Sequence, residues 1–191
     1  MKQLTVLIPA HNEESSIAAT LAGLAAQTVS PSRVIVVADN CTDATVSVSR
    51  ALGAEVFETV GNVSKKAGAL NQGLEFLSGS GASVVLVLDA DTVIASDFLE
   101  RGLSLLRKDS GLAAVGGVFV GRSPTSTLEG LQANEYERYG VQITVTGRTS
   151  VLTGTAALVR VSALSEVASS RGSVLPGRAG EVYDSAAITE D

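Results

Sequence analysis

Tryptophan is absent from this sequence, and cysteine and histidine occur once each. No apolar run approaches the roughly 20 residues that a membrane-spanning helix requires. The lone Cys41 excludes an intrachain disulfide framework and fits a reducing compartment. The lone His11 has no second histidine to share a metal with, so it is not expected to be a metal ligand. Basic residues are in deficit, 14 against 20 acidic ones, for a net charge of −6. They form neither a stripe nor an aromatic-interleaved cluster, which excludes nucleic acid as the expected partner. No charged leader precedes the first apolar run, so no signal peptide is expected. Phosphate-binding signatures are also missing. The stretch from Gly61 to Gly68 lacks Gly-Lys-Ser/Thr, and Gly79-Ser80-Gly81 precedes a strand instead of following one. What remains is a chain of 191 residues, 45% hydrophobic, which can bury a full core and is expected to form one soluble, cytoplasmic domain.

Strand and helix signals alternate along the first half. Leu4-Thr5-Val6-Leu7-Ile8 is an apolar strand stopped by Pro9, and Ile17, Leu21 and Leu24 then recur at helical spacing. Val34-Ile35-Val36-Val37 is a second strand, after which Thr42 or Asp43 is placed to cap a helix running to about Leu52. Residues 54–57 make a third strand. Ser64 is placed to cap a helix carrying Leu70, Leu74 and Leu77, and Ser96 one carrying Leu99, Leu103 and Leu106. Four such alternations predict a parallel sheet with helices on both faces, and right-handed crossovers bring the strands' carboxyl ends to one rim. The second half is less regular. Residues 112–120 are strand-like with a Gly116-Gly117 bulge signal, and residues 126–144 have a helical pattern with Leu128, Leu131 and Tyr139 on the apolar side. Residues 153–159 read as a loop entering a strand, and residues 169–180, rich in Gly, Ser and Arg, as a mobile loop.

The most informative stretch is Val84-Val85-Leu86-Val87-Leu88-Asp89-Ala90-Asp91-Thr92. Five apolar residues make a strand buried on both faces, and it ends in two carboxylates one residue apart. Acids so placed repel each other unless a cation lies between them. A hard divalent ion with oxygen ligands and a bound phosphate is the usual solution, and ligands of open α/β sheets bind where these acids stand. The plainer alternative is a turn-capping Asp89 and a solvated Asp91, which an isolated Asp-x-Asp would favour.

Five segments taken together give this sequence a family resemblance. They are Ile8-Pro9-Ala10-His11-Asn12-Glu13-Glu14, Val37-Ala38-Asp39-Asn40-Cys41-Thr42-Asp43, Lys66-Ala67-Gly68-Ala69-Leu70-Asn71, Leu88-Asp89-Ala90-Asp91 and Thr189-Glu190-Asp191. In this order the chain resembles the inverting family 2 glycosyltransferases of GT-A fold, in particular the N-terminal catalytic part of polysaccharide synthases. The resemblance implies a Rossmann-like, mostly parallel α/β sheet in a single domain over 1–191. Its nucleotide-binding half would cover about 1–92 and its acceptor-side half about 93–191. It implies a UDP-sugar donor, a hydroxyl acceptor (glycan, lipid or protein) and Mg²⁺ or Mn²⁺. Asp39 would accept a hydrogen bond from the uracil N–H. The loop with Pro9, Ala10, His11 and Glu13 would flank base and ribose, and Ala90 would lie against the nucleotide. Lys66 would offset diphosphate charge. Asp91 would hold the divalent ion, with Asp89 supporting both the ribose and the metal shell. Asp191 would be the catalytic base. Processive members continue past Thr-Glu-Asp to a Gln-x-x-Arg-Trp motif that this tryptophan-free sequence lacks. As a natural chain its acceptor platform would be missing or supplied by another protein; as a fragment of a longer enzyme its donor site would be complete and its acceptor side open. In a longer protein the domain would work at the inner face of a membrane.

Plainer roles compete at several positions. Lys65 and Lys66 could merely solvate a first helical turn, although cations are disfavoured there by the helix dipole. His11 could stabilise a turn as well as touch a ligand. Cys41, with no His nearby in sequence to activate it, is an inert small residue. At the level of the whole chain, a non-catalytic sugar-nucleotide-binding module, or a truncated remnant of a longer synthase, is the alternative. A sugar-1-phosphate nucleotidyltransferase is disfavoured because residues 9–16 contain no glycine to build a phosphate loop.

Overall fold

The computed structural model describes residues 3–118 and 154–186, with residues 131, 138, 140, 141, 145, 147 and 152 between them. Strands β1 (Gln3–Ala10), β2 (Arg33–Ala38), β3 (Glu55–Glu58) and β4 (Ala82–Leu88) are parallel and lie in the order β3-β2-β1-β4. Two more strands, β5 (Ala114–Gly116) and β6 (Ala156–Arg160), extend the sheet past β4. Strand β6 pairs antiparallel with β4, and β5 antiparallel with β6 at the edge. The sheet is therefore mostly parallel, as expected, with an antiparallel extension at one side.

Apolar runs on both faces of each strand demand cover on both sides. Helices α1 (Ile17–Ala25), α2 (Thr45–Ala51) and α4 (Phe98–Lys108) pack on one face, against Val6, Ile8, Val36, Leu86 and Leu88. Helices α3 (Lys65–Phe76) and α5 (Val161–Ser170) pack on the other, against Leu7, Ile35, Val37, Val85 and Val87. Val6, Leu7 and Ile8 are each 0% exposed, and burying each such side chain contributes about 1.5–3 kcal/mol. Gly73 lets α3 sit close to the sheet, since a Cβ there would lie 2.8 Å from Val37 Cγ2. In register, Ala10 stands beside Ala38, Ala38 beside Glu58, and Leu7 beside Val87. The loops leaving β1, β2, β3 and β4 consequently open at one rim.

Several local expectations are corrected. The N-cap of α2 is Ala44, not the expected Thr42 or Asp43, and it makes no side-chain cap bond; Asp43, one residue ahead, accepts the Thr45 N–H at 2.9 Å and the Thr45 hydroxyl at 2.5 Å on Oδ1. Ser64 makes no side-chain cap for α3; Asn62 Oδ1 accepts the Ser64 N–H instead, at 3.0 Å. Ser96 does not cap α4. Gln27, distant in sequence, does so by accepting the Leu99 N–H at 3.1 Å, because its side chain is buried under that helix end. The strand expected over 112–120 is confined to Ala114–Gly116 among the described residues.

Residues 169–180 do not form the loosely held loop their composition suggests. Ser169 and Ser170 still belong to α5. Beyond them Arg171 donates to the Pro176 carbonyl at 2.7 Å and to the Val182 carbonyl at 2.9 Å, and Gly180 N–H returns to Ala168 O. One guanidinium thus supplies the order that glycine and serine cannot. Of the helix expected over 126–144, Leu131, Arg138, Gly140 and Val141 are helical, but Leu131 is 63% exposed and Leu128 and Tyr139 lie outside the described residues. Among the described residues no helix is long and apolar enough to cross a membrane.

Candidate functional site

A cleft of about 570 Å³ opens at the shared rim of the parallel strands. It is lined by Pro9, Ala10, His11 and Glu13 after β1, Asp39 and Asn40 after β2, and Asn62, Val63, Lys65, Lys66 and Ala69 around the start of α3. Asp89, Ala90 and Asp91 complete the lining after β4. Every sequence-selected residue except Asp191 is therefore brought to one place; Asp191 lies outside the described residues. A second cleft of about 830 Å³ runs between α3 and α5 over an apolar floor of Leu74, Leu77, Val85 and Leu164. Glu75, Arg178 and Glu181 also line it, but none of the candidate site residues named from the sequence does.

The loops after β1 and β2 are tied together by their own polar groups. His11 donates from Nδ1 to the Asp39 carbonyl at 2.7 Å, which leaves its other ring nitrogen as the acceptor in the neutral form. Asn12 accepts the Thr42 N–H at 2.7 Å, and Thr45 Oγ1 accepts the Glu13 N–H at 2.7 Å. Asn12 and Asn40 both adopt left-handed backbone, φ 57 and 48, which asparagine tolerates better than most residues. Glu13 accepts from the Ser16 hydroxyl at 2.5 Å, so its carboxylate is engaged at the head of α1. Cys41 directs Sγ toward the Ala10 carbonyl at 3.3 Å, in keeping with an inert role. Asp43 has its carboxyl held below the ordinary value. Burial pushes it up, but hydrogen bonds from the Thr45 hydroxyl and from the N–H groups of Thr45, Glu14 and Asp43 itself outweigh that.

Asp39 is 6% exposed, and its Oδ1 receives three donors: Thr59 Oγ1 at 2.6 Å, Asn62 Nδ2 at 2.8 Å and Asn40 Nδ2 at 3.1 Å. Among the described residues no donor reaches Oδ2. Asn62 is the hub of this arrangement. Its Nδ2 also donates to the Lys65 carbonyl at 2.8 Å, and its backbone carbonyl accepts from Asn40 at 3.1 Å. Gly68 makes room for it, because a Cβ there would fall 1.9 Å from Asn62 Oδ1. None of Asn40, Thr59 or Asn62 was singled out from the sequence. The available signal was an asparagine just ahead of a helix, within Gly61-Asn62-Val63-Ser64, which reads as a plain loop.

The cation near the paired acids is Lys66, whose Nζ lies 2.6 Å from Asp89 Oδ1, with the two side chains 29% and 23% exposed. Lys66 is thus not a solvated first-turn residue. Asp89 and Ala90 are further fixed by backbone bonds, Asp89 N–H to the Thr155 carbonyl at 2.9 Å and Thr20 Oγ1 to the Ala90 carbonyl at 2.8 Å. Asp91 is exposed, its carboxylate touched only by Thr92 Oγ1 at 3.5 Å among the described residues. Among those residues no group of three or more His, Cys, Asp or Glu side chains could enclose a metal ion. A cage-type site is therefore absent there. The donor set does suit Mg²⁺ or Mn²⁺, which bind through one or two carboxylates plus substrate phosphates.

Asn71, the last residue of the quoted Lys66 segment, and Tyr183, which the sequence did not single out, lie outside the lining of this cleft but connect to it. Asn71 holds the chain at residues 182–183 by accepting the N–H groups of Val182 (3.1 Å) and Tyr183 (2.9 Å) and donating to the Tyr183 carbonyl (2.8 Å). The Tyr183 hydroxyl is pushed up to about 12 by burial and by the negative charge of Asp89. The segment leading toward Thr189-Glu190-Asp191 is thereby pinned to α3 beside the cleft.

Residues 5–168 match the family model described as Glycosyl transferase family 2. Over 174 residues the chain is 27% identical to a poly-beta-1,6-N-acetyl-D-glucosamine synthase of Staphylococcus aureus (strain COL), a match covering 87% of this chain and 42% of that relative. The chain thus spans less than half the length of the curated relatives it matches. In three dimensions it is similar to a mannosyltransferase from Pyrobaculum calidifontis in complex with GDP-Man and Mn²⁺, with TM-score 0.66 and 23% identity, covering 94% of this chain and 50% of that one. It is also similar to glucosyl-3-phosphoglycerate synthase from Mycobacterium tuberculosis in complex with Mn²⁺, UDP-glucose and glycerol 3-phosphate, with TM-score 0.60 and 22% identity, covering 86% and 59%. Likeness at this level shows the fold, which is the open α/β architecture of GT-A glycosyltransferases.

Proposed function

The chain belongs to glycosyl transferase family 2, and from that premise we propose that it carries the donor site of an inverting transferase that moves a sugar from UDP to a hydroxyl acceptor. The observation that carries this reading is the meeting of Asp39, the Lys66–Asp89 pair and Asp91 in one cleft. Asp39 would accept the uracil N3–H on its open oxygen, while the Pro9 to Glu13 loop flanks base and ribose. Lys66 would lie along the diphosphate and share its charge between Asp89 and the phosphates. Asp91, with Asp89 behind it, would hold Mg²⁺ or Mn²⁺ against the phosphates. When bound, that ion supplies Lewis-acid stabilisation of the charge that collects on departing UDP.

Reaction requires the acceptor hydroxyl to attack the anomeric carbon as the bond from that carbon to the diphosphate oxygen breaks. The hydroxyl proton passes to Asp191 on the face opposite UDP, and the configuration inverts. The two solved relatives named above carry UDP-glucose and GDP-Man, so it is the Asp39 geometry that favours uridine in this reading. The hydroxyl acceptor is a glycan, lipid or protein in this reading, and the setting is cytoplasmic, at the inner face of a membrane if the full protein is longer.

Calorimetry with UDP and Mn²⁺, paired with a transfer assay on UDP-sugars, tests the proposal. Asp91→Ala should lose metal-dependent UDP binding, and Asp191→Asn should keep binding while losing transfer. Undiminished binding by Asp91→Ala would refute the metal assignment. Binding without turnover in the wild type, unaffected by Asp191→Asn, would instead identify a non-catalytic nucleotide-sugar module.

A further inference from the structure

Asp39 is hydrogen-bonded asymmetrically. A carboxylate with both oxygens open pairs well with guanine, whose N1–H and N2–H₂ present two parallel donors, and also with uracil, which presents one N–H. Here Oδ1 already accepts from Thr59, Asn62 and Asn40 at 2.6, 2.8 and 3.1 Å, so no lone pair remains for a further donor on that side. The side chain is held in place by the same bonds and is 6% exposed, so it cannot turn to offer a fresh edge. Guanine would reach Oδ2 with one donor and leave its second facing a saturated oxygen. A desolvated donor without a partner is penalised more heavily than a made bond is rewarded.

Resting on the donor-site reading above, we propose that Thr59, Asn62 and Asn40 are specificity-determining residues, which consume one oxygen of Asp39 and so restrict the site to a base that presents one donor, not two parallel ones, to the carboxylate. Thr59 is the cleanest probe. It supplies the shortest of the three bonds and does not line the cleft, so it acts on the base only through Asp39.

The test is calorimetry of the full chain with UDP and with GDP, each with Mn²⁺. Wild type should bind UDP at least about ten-fold more tightly than GDP, the equivalent of one unsatisfied donor. Thr59→Val, isosteric but without the hydroxyl, should narrow that ratio about three-fold. Adding Asn40→Gly, which keeps the left-handed backbone, should narrow it by about ten-fold overall. Thr59→Ser should restore the wild-type ratio. A loosened fold would weaken both nucleotides together, so the ratio isolates base reading from stability. An unchanged ratio in the double variant, or a wild-type preference for GDP, overturns this inference while leaving a nucleotide site in place. A wild type that binds neither nucleotide overturns the donor-site reading and this inference with it.

Discussion

Replacing Gly68 by alanine sets two physical effects against each other with opposite signs. Gly68 lies within α3, in ordinary helical backbone, so propensity alone makes alanine the better residue by about 1 kcal/mol. The new methyl, however, would fall 1.9 Å from Asn62 Oδ1, 2.8 Å from its Cγ and 3.0 Å from Ser64 Cβ. Asn62 must leave its position, giving up its bonds to Asp39 Oδ1 and Lys65 O and the bond it accepts from Ser64 N–H. With roughly 1 kcal/mol for each neutral bond and about twice that for the one to a carboxylate, the loss is about 4 kcal/mol. Net of propensity, Gly68→Ala should destabilise by about 3 kcal/mol, or lower Tm by roughly 6–12 °C in a domain of this size. Urea unfolding followed by circular dichroism measures the first figure and calorimetric melting the second. A variant as stable as wild type, or more stable, would refute the claim that Asn62 is locked by the space Gly68 leaves.

Other expectations concern groups that sequence patterns do not reveal. Asn71→Leu should release residues 182–183 from α3, seen as at least ten-fold faster hydrogen exchange at the Val182 and Tyr183 amides; unchanged protection would mean that packing of Tyr183 alone holds the segment. Alkaline titration followed by tyrosinate absorbance should find one of the three tyrosines ionising near pH 12, and Tyr183→Phe should remove that late step. Because Tyr183 holds its proton more tightly when folded, its contribution is complete below about pH 10 and is lost as pH rises through about 12; alkaline unfolding of wild type should be steeper than that of Tyr183→Phe. Asp43 has the opposite sign. Its folded carboxyl lies below the ordinary value, so its contribution is present above that value and lost as pH falls past it, and Asp43→Asn should flatten the acid limb of a pH-stability curve.

The parts of this fold that were legible in the sequence are those with short-range physical causes. Val84 to Leu88 and Val34 to Val37 are too apolar to be anything but strands buried on both faces, and their endings in Asp89 and Asp39 mark where the rim lies. Alternation of strand and helix then suffices to bring Asp39, Lys66, Asp89 and Asp91 together. What sequence could not carry was direction and distance. Nothing in Ala156-Ala157-Leu158-Val159 says that the strand runs against β4. Gln27 caps a helix 72 residues away, and ahead of α3 it is Asn62, held also by Asp39, that accepts the Ser64 N–H, while Ser64 makes no side-chain cap bond of its own. Arg171 orders a Gly- and Ser-rich stretch whose composition alone predicts mobility. In each case a polar side chain finds its partner through tertiary structure, and no periodicity records that.

The most direct measurement is a crystal structure of the chain soaked with UDP and Mn²⁺. The account predicts the uracil N3–H on Asp39 Oδ2, the diphosphate beside Lys66, and the metal ion on Asp91. Ordered UDP in the groove between α3 and α5, or in the rim cleft with its base away from Asp39, would contradict it.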